Sequence, residues 1–429
     1  MGACRFDTHR GGACAERTAD RPRLAAAAPM TWLVDARGGW SRRDLLREAR
    51  RAASGIDRTT TVLVATTSLH DTIVTTCAAL HVGAPVWLVG ARRGRLDLVD
   101  LMAEAGPGAL LVTDGDLGVA GERRLADLVT GRRTPLPRVP APVTLHTSGT
   151  TGRPRAVRRS LPSPAVVAQV GSVLRRIPLR PRRIGVAVPP TQSHGVAAWT
   201  GAWLTGVPVI DLHRLTPPET AALYAESGAD AVTAVPDQLE SWCAPTGLVI
   251  SGSDRLAPAI AARLTDGGAQ VVDVYGTTEA GPITLAGPAE RALDPATVGR
   301  PLAGVRIRVV DGAGREVEPG ALGRVEVCTP LLGRGRTLAT DLGRMRDGLL
   351  RLEGRADELT STRGELVSYE RAEQYLRTRH GVTGVRTTAA GLHITADDTG
   401  LTADVLRRAM LRDLGPAYAR VELCVTRRP

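Results

Sequence analysis

The sequence predicts an α/β protein. A large N-terminal domain of mostly parallel sheets, flanked by helices and carrying a small antiparallel region, precedes a small α+β C-terminal lid domain. Three observations carry this. From Met30 onward, short runs rich in β-branched residues alternate with helical segments, the rhythm of a parallel sheet covered on both faces. From Gly304 the texture changes to short strands between Gly/Pro turns, which signals antiparallel pairing. At 429 residues the chain exceeds what one core usually holds.

Taken in order, residues 1–29 alternate charged and small residues and read as a flexible leader without an apolar signal core. Ser41–Ser54 has an N-cap serine and apolar positions at helical spacing. Thr61–Thr66 is a β-branched strand, Asp71–His81 a helix, Pro85–Val89 a strand, Leu96–Ala105 a helix and Ala109–Thr113 a strand. The alternation resumes with Gly185–Val188, Gly195–Thr205, Val207–Asp211, Pro217–Glu226, Ala231–Val235, Gly247–Ser251, Ala257–Thr265 and Gln270–Val274. Val305–Val310 and Gly323–Cys328 form the antiparallel region, and a last αβ unit includes a helix at Tyr369–Arg379 and a strand at Leu392–Thr395. The domains are therefore drawn as 30–353 and 354–429.

Composition excludes several classes. The +11 net charge is carried by 55 arginines with no lysine in the chain, and aromatic residues make up 3%. Modest charge and few stacking rings argue against nucleic acid. Cys4, Cys14, Cys77, Cys243, Cys328 and Cys424 show no CxxC pair, so neither a zinc site nor a disulfide framework is expected. The uncharged stretches Thr72–Ala91 and Ile184–Ile210 are broken by Gly and Pro, which fits a buried core better than a membrane span. A cytoplasmic protein is expected.

Chemistry is written in two places. Leu145 to Arg155 runs from a strand into a turn of glycines and hydroxyls, Thr147-Ser148-Gly149-Thr150-Thr151-Gly152, followed by Arg153 and Arg155. Glycines admit backbone N–H groups to an anion, hydroxyls add donors, and arginine neutralises phosphate. The G-K-[ST] ending of a Walker loop is missing. Tyr275-Gly276-Thr277-Thr278-Glu279 again follows a strand: an aromatic ring to stack on a base, a threonine for phosphate, a carboxylate for a divalent cation. Together they favour a nucleotide site at the carboxyl ends of parallel strands.

Here the chain resembles the adenylate-forming superfamily of acyl- and aryl-CoA synthetases, peptide-synthetase adenylation domains and luciferases. The resemblance runs from about Thr31 to the end and extends to Thr297-Val298-Gly299-Arg300-Pro301, Thr340-Asp341 and Gly354-Arg355-Ala356-Asp357. It implies that Asp341 and Arg355 contact ribose, that Asp357 is the hinge of a lid, and that Glu279 holds Mg2+. His194, in Gln192-Ser193-His194-Gly195, would line the acid's approach. Ser251-Gly252-Ser253 would flank adenine and close the acid pocket, and Trp199 would add to the lining. The implied chemistry is ATP-dependent formation of an acyl-adenylate, then transfer to a thiol of coenzyme A or a phosphopantetheinyl carrier protein. A role in secondary metabolite biosynthesis is a corresponding expectation.

The sequence departs from the family pattern in three ways. Arg155 stands where the phosphate loop normally has lysine. The family's C-terminal catalytic lysine has no counterpart, Val425–Pro429 lying about where that segment should begin. Glu358–Gly364 lacks the usual aliphatic-lysine pair. An active ligase would therefore use Arg427 or Arg428 in that role, or need no such cation. The alternative is a degenerate homologue that binds AMP or an acyl-adenylate without forming it. A serine hydrolase is disfavoured because Ser148 sits in T-S-G rather than G-x-S-x-G.

Overall fold

The computed structural model describes residues 31–429 apart from 91–92, 134–135, 149–153, 160–163, 178–179, 243–246, 334, 356–359, 363–364, 368, 389–390, 399 and 428–429. The predicted alternation produces two sheets. The larger has nine strands in the order Arg300–Pro301, Gly281–Ala286, Ala269–Thr277, Gly247–Gly252, Ala231–Ala234, Ile184–Val186, Val209–Asp211, Leu33–Asp35 and Gly38–Trp40. Its six central strands, Ala269–Thr277 through Leu33–Asp35, are parallel, and antiparallel strands close both edges. The smaller has six strands and ends in an antiparallel hairpin, Val143–Ser148 with Pro154–Arg159. Continuous apolar runs such as Val62–Ala65 and Ala231–Ala234 are buried along their whole length, as strands covered on both faces must be.

Helices begin where the sequence supplies caps. The Ser41 hydroxyl accepts from Asp44 N–H at the start of Arg42–Ala52, and the Asp44 carboxylate returns a bond to Ser41 N–H. Ser68 caps Leu69–Val82, and Gly83, at φ +75°, ends it. The first turn of that helix also joins the two sheets. Leu69 N–H donates to Asp211 Oδ2 at 2.8 Å, and Arg37 bonds Asp35, Ser68 and Asp71.

Downstream, Arg306–Val310, Gly323–Cys328, Leu338–Arg346 and Leu349–Arg355 form a four-stranded antiparallel sheet. Val382–Thr388, Gly391–Ala396 and Leu423–Arg427 form a three-stranded one, packed with helices Tyr369–Arg377 and Ala403–Asp413 around their own core of Tyr375, Leu376, Ile394, Leu406 and Met410. That unit meets the start of helix Arg95–Ala105 at Gly94, where a side chain would collide with the Asp413 carbonyl. Among the described residues no helix is long and apolar enough to cross a membrane.

Candidate active site

The site forms where strands of the large sheet end. Ala269–Thr277 and its parallel neighbour Gly247–Gly252 pair in register up to Val274 and Gly252. Beyond that point Tyr275–Thr277 leaves its parallel neighbour, turns, and pairs antiparallel with the returning strand Gly281–Ala286. Gly276 is required there because a Cβ would lie 2.4 Å from the Gly281 carbonyl oxygen. Ala280 N–H donates to Thr277 Oγ1 at 3.0 Å, and Thr329 Oγ1 donates to the Ala280 carbonyl at 2.8 Å. The turn is thus held from inside and from below.

Across this turn, Tyr275 Oη donates to Asp341 Oδ2 at 2.6 Å. Asp341 lies on Leu338–Arg346, directly opposite Arg355 in the register of Leu349–Arg355. Three residues expected at a nucleotide's base and ribose therefore come from three strands to one place. The segment Thr297–Pro301 explains how. Thr297 Oγ1 and Val298 N–H both donate to the Leu350 carbonyl, and Thr284 Oγ1 donates to the Val298 carbonyl. Gly299, at φ +96°, brings its Cα so close to Leu285 that a Cβ would stand 1.9 Å from the Leu285 carbonyl oxygen. This motif welds the edge of the large sheet to the four-stranded sheet, fixing Asp341 relative to Tyr275.

On the other side, Thr278 Oγ1 donates to Ser193 Oγ at 3.1 Å. Ser193 opens helix Ser193–Thr205, and His194 follows. Its Nδ1 is 3.0 Å from Ser253 Oγ and its Nε2 2.7 Å from Thr233 Oγ1. Burial pushes this imidazole down to about 4, so it is neutral at pH 7 and accepts from one hydroxyl while donating to the other. The ring sits on Gly252, where a Cβ would be 3.2 Å from His194 Cε1 and 3.1 Å from the Val274 carbonyl oxygen. Ser253 adopts φ +69°, a left-handed conformation uncommon for serine.

Trp199, expected on the pocket wall, is instead buried in the core, its indole N–H donating to the Pro190 carbonyl at 3.0 Å. Helical periodicity turns it inward, five residues from His194. Beneath the site, burial pushes Asp273 up to about 6, with Arg291 the leading opposing influence.

Of the remaining predicted residues, Thr147 and Arg155 pair across the hairpin and Ser148 pairs with Pro154. Gly149, Thr150, Thr151, Gly152, Asp357 and Arg428 lie outside the described residues. Arg427 is exposed at the end of Leu423–Arg427, in register with Ala396. Two contacts were not anticipated: Ser193 beneath Thr278, and Arg159, whose Nη2 donates to the carbonyls of Thr278 and Glu279.

A half-buried carboxylate, Glu279, stands at the turn. Among the described residues no cluster of three or more His, Cys, Asp or Glu side chains is arranged to hold a metal. A single carboxylate suits Mg2+, which keeps waters and takes its remaining ligands from phosphates.

Comparison with known proteins agrees with this geometry. Residues 13–335 match the model of the AMP-binding enzyme family. A probable non-canonical nonribosomal peptide synthetase, CymA, of Salinispora arenicola is 32% identical over 213 residues, covering 40% of this chain and 3% of that protein. The p-hydroxybenzoic acid–AMP ligase FadD22 of Mycobacterium tuberculosis is 29% identical over 202 residues, covering 44% of this chain and 28% of that protein. The chain thus spans under a third of the length of either relative. A double mutant of o-succinylbenzoate CoA synthetase (MenE) from Bacillus subtilis, solved with a product analogue, superposes with a TM-score of 0.77 at 17% identity, covering 92% of each chain, a likeness of fold.

Proposed function

This chain belongs to the AMP-binding enzyme family, the adenylate-forming ligases, and from that membership we propose that it activates a small carboxylic acid with ATP as an acyl-adenylate and passes the acyl group to a thiol. The observation that carries this reading is the 2.6 Å bond between Tyr275 and Asp341. It brings an aromatic ring and a carboxylate from motifs 66 residues apart to the carboxyl ends of parallel strands. The ring offers a face for adenine, and the carboxylate accepts from ribose hydroxyls. Ser251 and Gly252 would flank the base.

The acid's carboxylate attacks the α-phosphorus in line, and pyrophosphate leaves. Thr278 and the loop 147–152 would bond the phosphate oxygens on which charge gathers, with Arg155 adding a cation. Glu279 would hold Mg2+, which when bound neutralises phosphate charge. Neutral His194, fixed by Ser253 and Thr233, presents an uncharged wall to the acid. That wall and the glycine floor at Gly252 suit a flat aryl or short acyl group, in keeping with a relative named for p-hydroxybenzoic acid. In the second half-reaction, coenzyme A or a phosphopantetheinyl carrier protein would supply the thiol that displaces AMP. Residues 354–429 would act as the lid, turning about Asp357 and bringing Arg427 or Arg428 toward the phosphate.

The test is acid-dependent exchange of labelled pyrophosphate into ATP across a panel of aryl and short acyl acids. Exchange with at least one acid is expected; none, from folded protein that still binds AMP, would replace this reading with its rival. That rival is a homologue which binds AMP or acyl-adenylate without forming it, and Arg155, where the phosphate loop normally has lysine, is what favours it.

A further inference from the structure

We propose that Ser193 is a substrate-binding residue whose hydroxyl donates to the acid's carboxylate and holds it facing the α-phosphorus. The assignment rests on the adenylate-forming reading above and adds to it a contact that joins the acid pocket to the nucleotide site. Thr278 Oγ1 donates to Ser193 Oγ at 3.1 Å. A hydroxyl has one proton and two acceptor lone pairs. Thr278 has therefore committed its hydroxyl proton, whereas Ser193 has accepted a bond and kept its own. Among the described residues this is the only hydrogen bond of the half-buried Ser193 side chain. Its proton remains for a ligand, and the main-chain N–H of Thr278, which the hydroxyl bond leaves untouched, remains for phosphate.

A carboxylate entering a pocket needs a donor, because burying an unpaired charge is costly. His194 has none to give. Its Nδ1 faces Ser253 Oγ and its Nε2 faces Thr233 Oγ1, and a neutral imidazole carries a single N–H. Ser193, the preceding residue, supplies what His194 cannot. Its bond to Thr278 spans 85 residues of chain and fixes the hydroxyl at the boundary between the phosphate turn and the acid wall. Donation to one carboxylate oxygen leaves the other to attack. The attacking oxygen forms its bond to the α-phosphorus, the bond from phosphorus to pyrophosphate breaks, and the oxygen held by Ser193 becomes the acyl carbonyl oxygen of the adenylate. No proton moves. Ser193 thus holds the acid and the acyl-adenylate by the same bond, and takes no part in binding AMP, which has no acyl oxygen.

This difference between ligands gives the test. Wild type, Ser193→Ala and Ser193→Thr are titrated calorimetrically with AMP and, separately, with 5′-O-(N-acetylsulfamoyl)adenosine; thermal melts establish folding. The second probe is an unreactive acyl-adenylate mimic whose acyl group is small enough to enter whichever acid the pocket takes. Ser193→Ala is expected to weaken the acyl probe about tenfold or more, the size of one hydrogen bond to a charged acceptor, and AMP less than about threefold. Ser193→Thr, which keeps the hydroxyl, should recover most of the lost affinity. Equal weakening of both ligands, no weakening, a loss in Ser193→Thr as large as in Ser193→Ala, or wild type that binds AMP but not the acyl probe would overturn the assignment. If Ser193→Ala fails to fold, Ser193→Gly must show the acyl-selective loss. Neither titration requires turnover. Pyrophosphate exchange by wild type together with an unselective Ser193→Ala would therefore sink the Ser193 contact alone, whereas wild type that binds neither ligand would sink both readings.

Discussion

Replacing Tyr275 with phenylalanine removes one hydroxyl and leaves the ring that would face adenine. The lost bond is a 2.6 Å O–H···O contact to the carboxylate of Asp341. Hydrogen bonds to charged acceptors contribute about 1.5–3 kcal/mol net. The bond exists before ligand arrives, so only its orienting share reaches binding; taking about half gives about 1 kcal/mol, or about fivefold in Kd. The rest appears as stability, since the bond links the large sheet to the four-stranded sheet. Calorimetric titration with AMP, paired with a thermal melt, reads both parts. Affinity unchanged within twofold would show that Asp341 needs no orientation from Tyr275. Tighter binding would mean that the phenol competes with ribose for the same oxygen instead of orienting it.

Other substitutions separate the parts of the site. Glu279→Gln is expected to lower pyrophosphate exchange at least a hundredfold and raise the Mg2+ concentration needed, while AMP affinity stays within threefold; equal loss of AMP binding would deny Glu279 a metal role. Gly252→Ala places a methyl 3.1–3.2 Å from the Val274 carbonyl and the His194 ring, so KM for the acid should rise several-fold with AMP affinity preserved, and an unchanged KM in exchange kinetics would move the acid pocket elsewhere. His194 is held down at about 4 by burial, below the ordinary imidazole value. As pH falls through 6.5 the unfolded chain takes up this proton first, so the imidazole's stability contribution is complete above 6.5 and is lost between 6.5 and 4. Denaturation of wild type and His194→Asn across that range should give curves that converge toward acid, and parallel curves would contradict a neutral His194.

Much of the scaffold is readable from the chain because burial on both faces forces continuous apolar runs. Val62–Ala65, Ala231–Ala234 and Gly247–Gly252 announce themselves this way. Helix Pro164–Arg176 does not, since PAVVAQVGSVLRR carries a glycine and leaves Val167, Val170 and Leu174 exposed, blurring its apolar stripe. The hairpin Val143–Ser148/Pro154–Arg159 reads only as a strand entering a turn, because its return arm is arginine-rich. Tyr275, Asp341 and Glu279 are recognisable by motif, but motif order says nothing of contact. The Tyr275–Asp341 bond depends on the weld at Thr297–Gly299, where a local pattern becomes a long-range constraint only through strand pairing. His194 is visible as a lone histidine, whereas its neutrality follows from the Thr233 and Ser253 neighbours that folding supplies. Trp199 shows the converse: a large ring near the pocket in sequence that helix geometry turns into the core.

A crystal structure of the chain grown with AMP would show whether Tyr275 and Asp341 hold the nucleotide. The purine is expected against the Tyr275 ring, with ribose hydroxyls within hydrogen-bonding distance of the Asp341 carboxylate and the phosphate turned toward Thr278. Nucleotide bound at another face, or empty density between Tyr275 and Asp341 at saturating AMP, would contradict it.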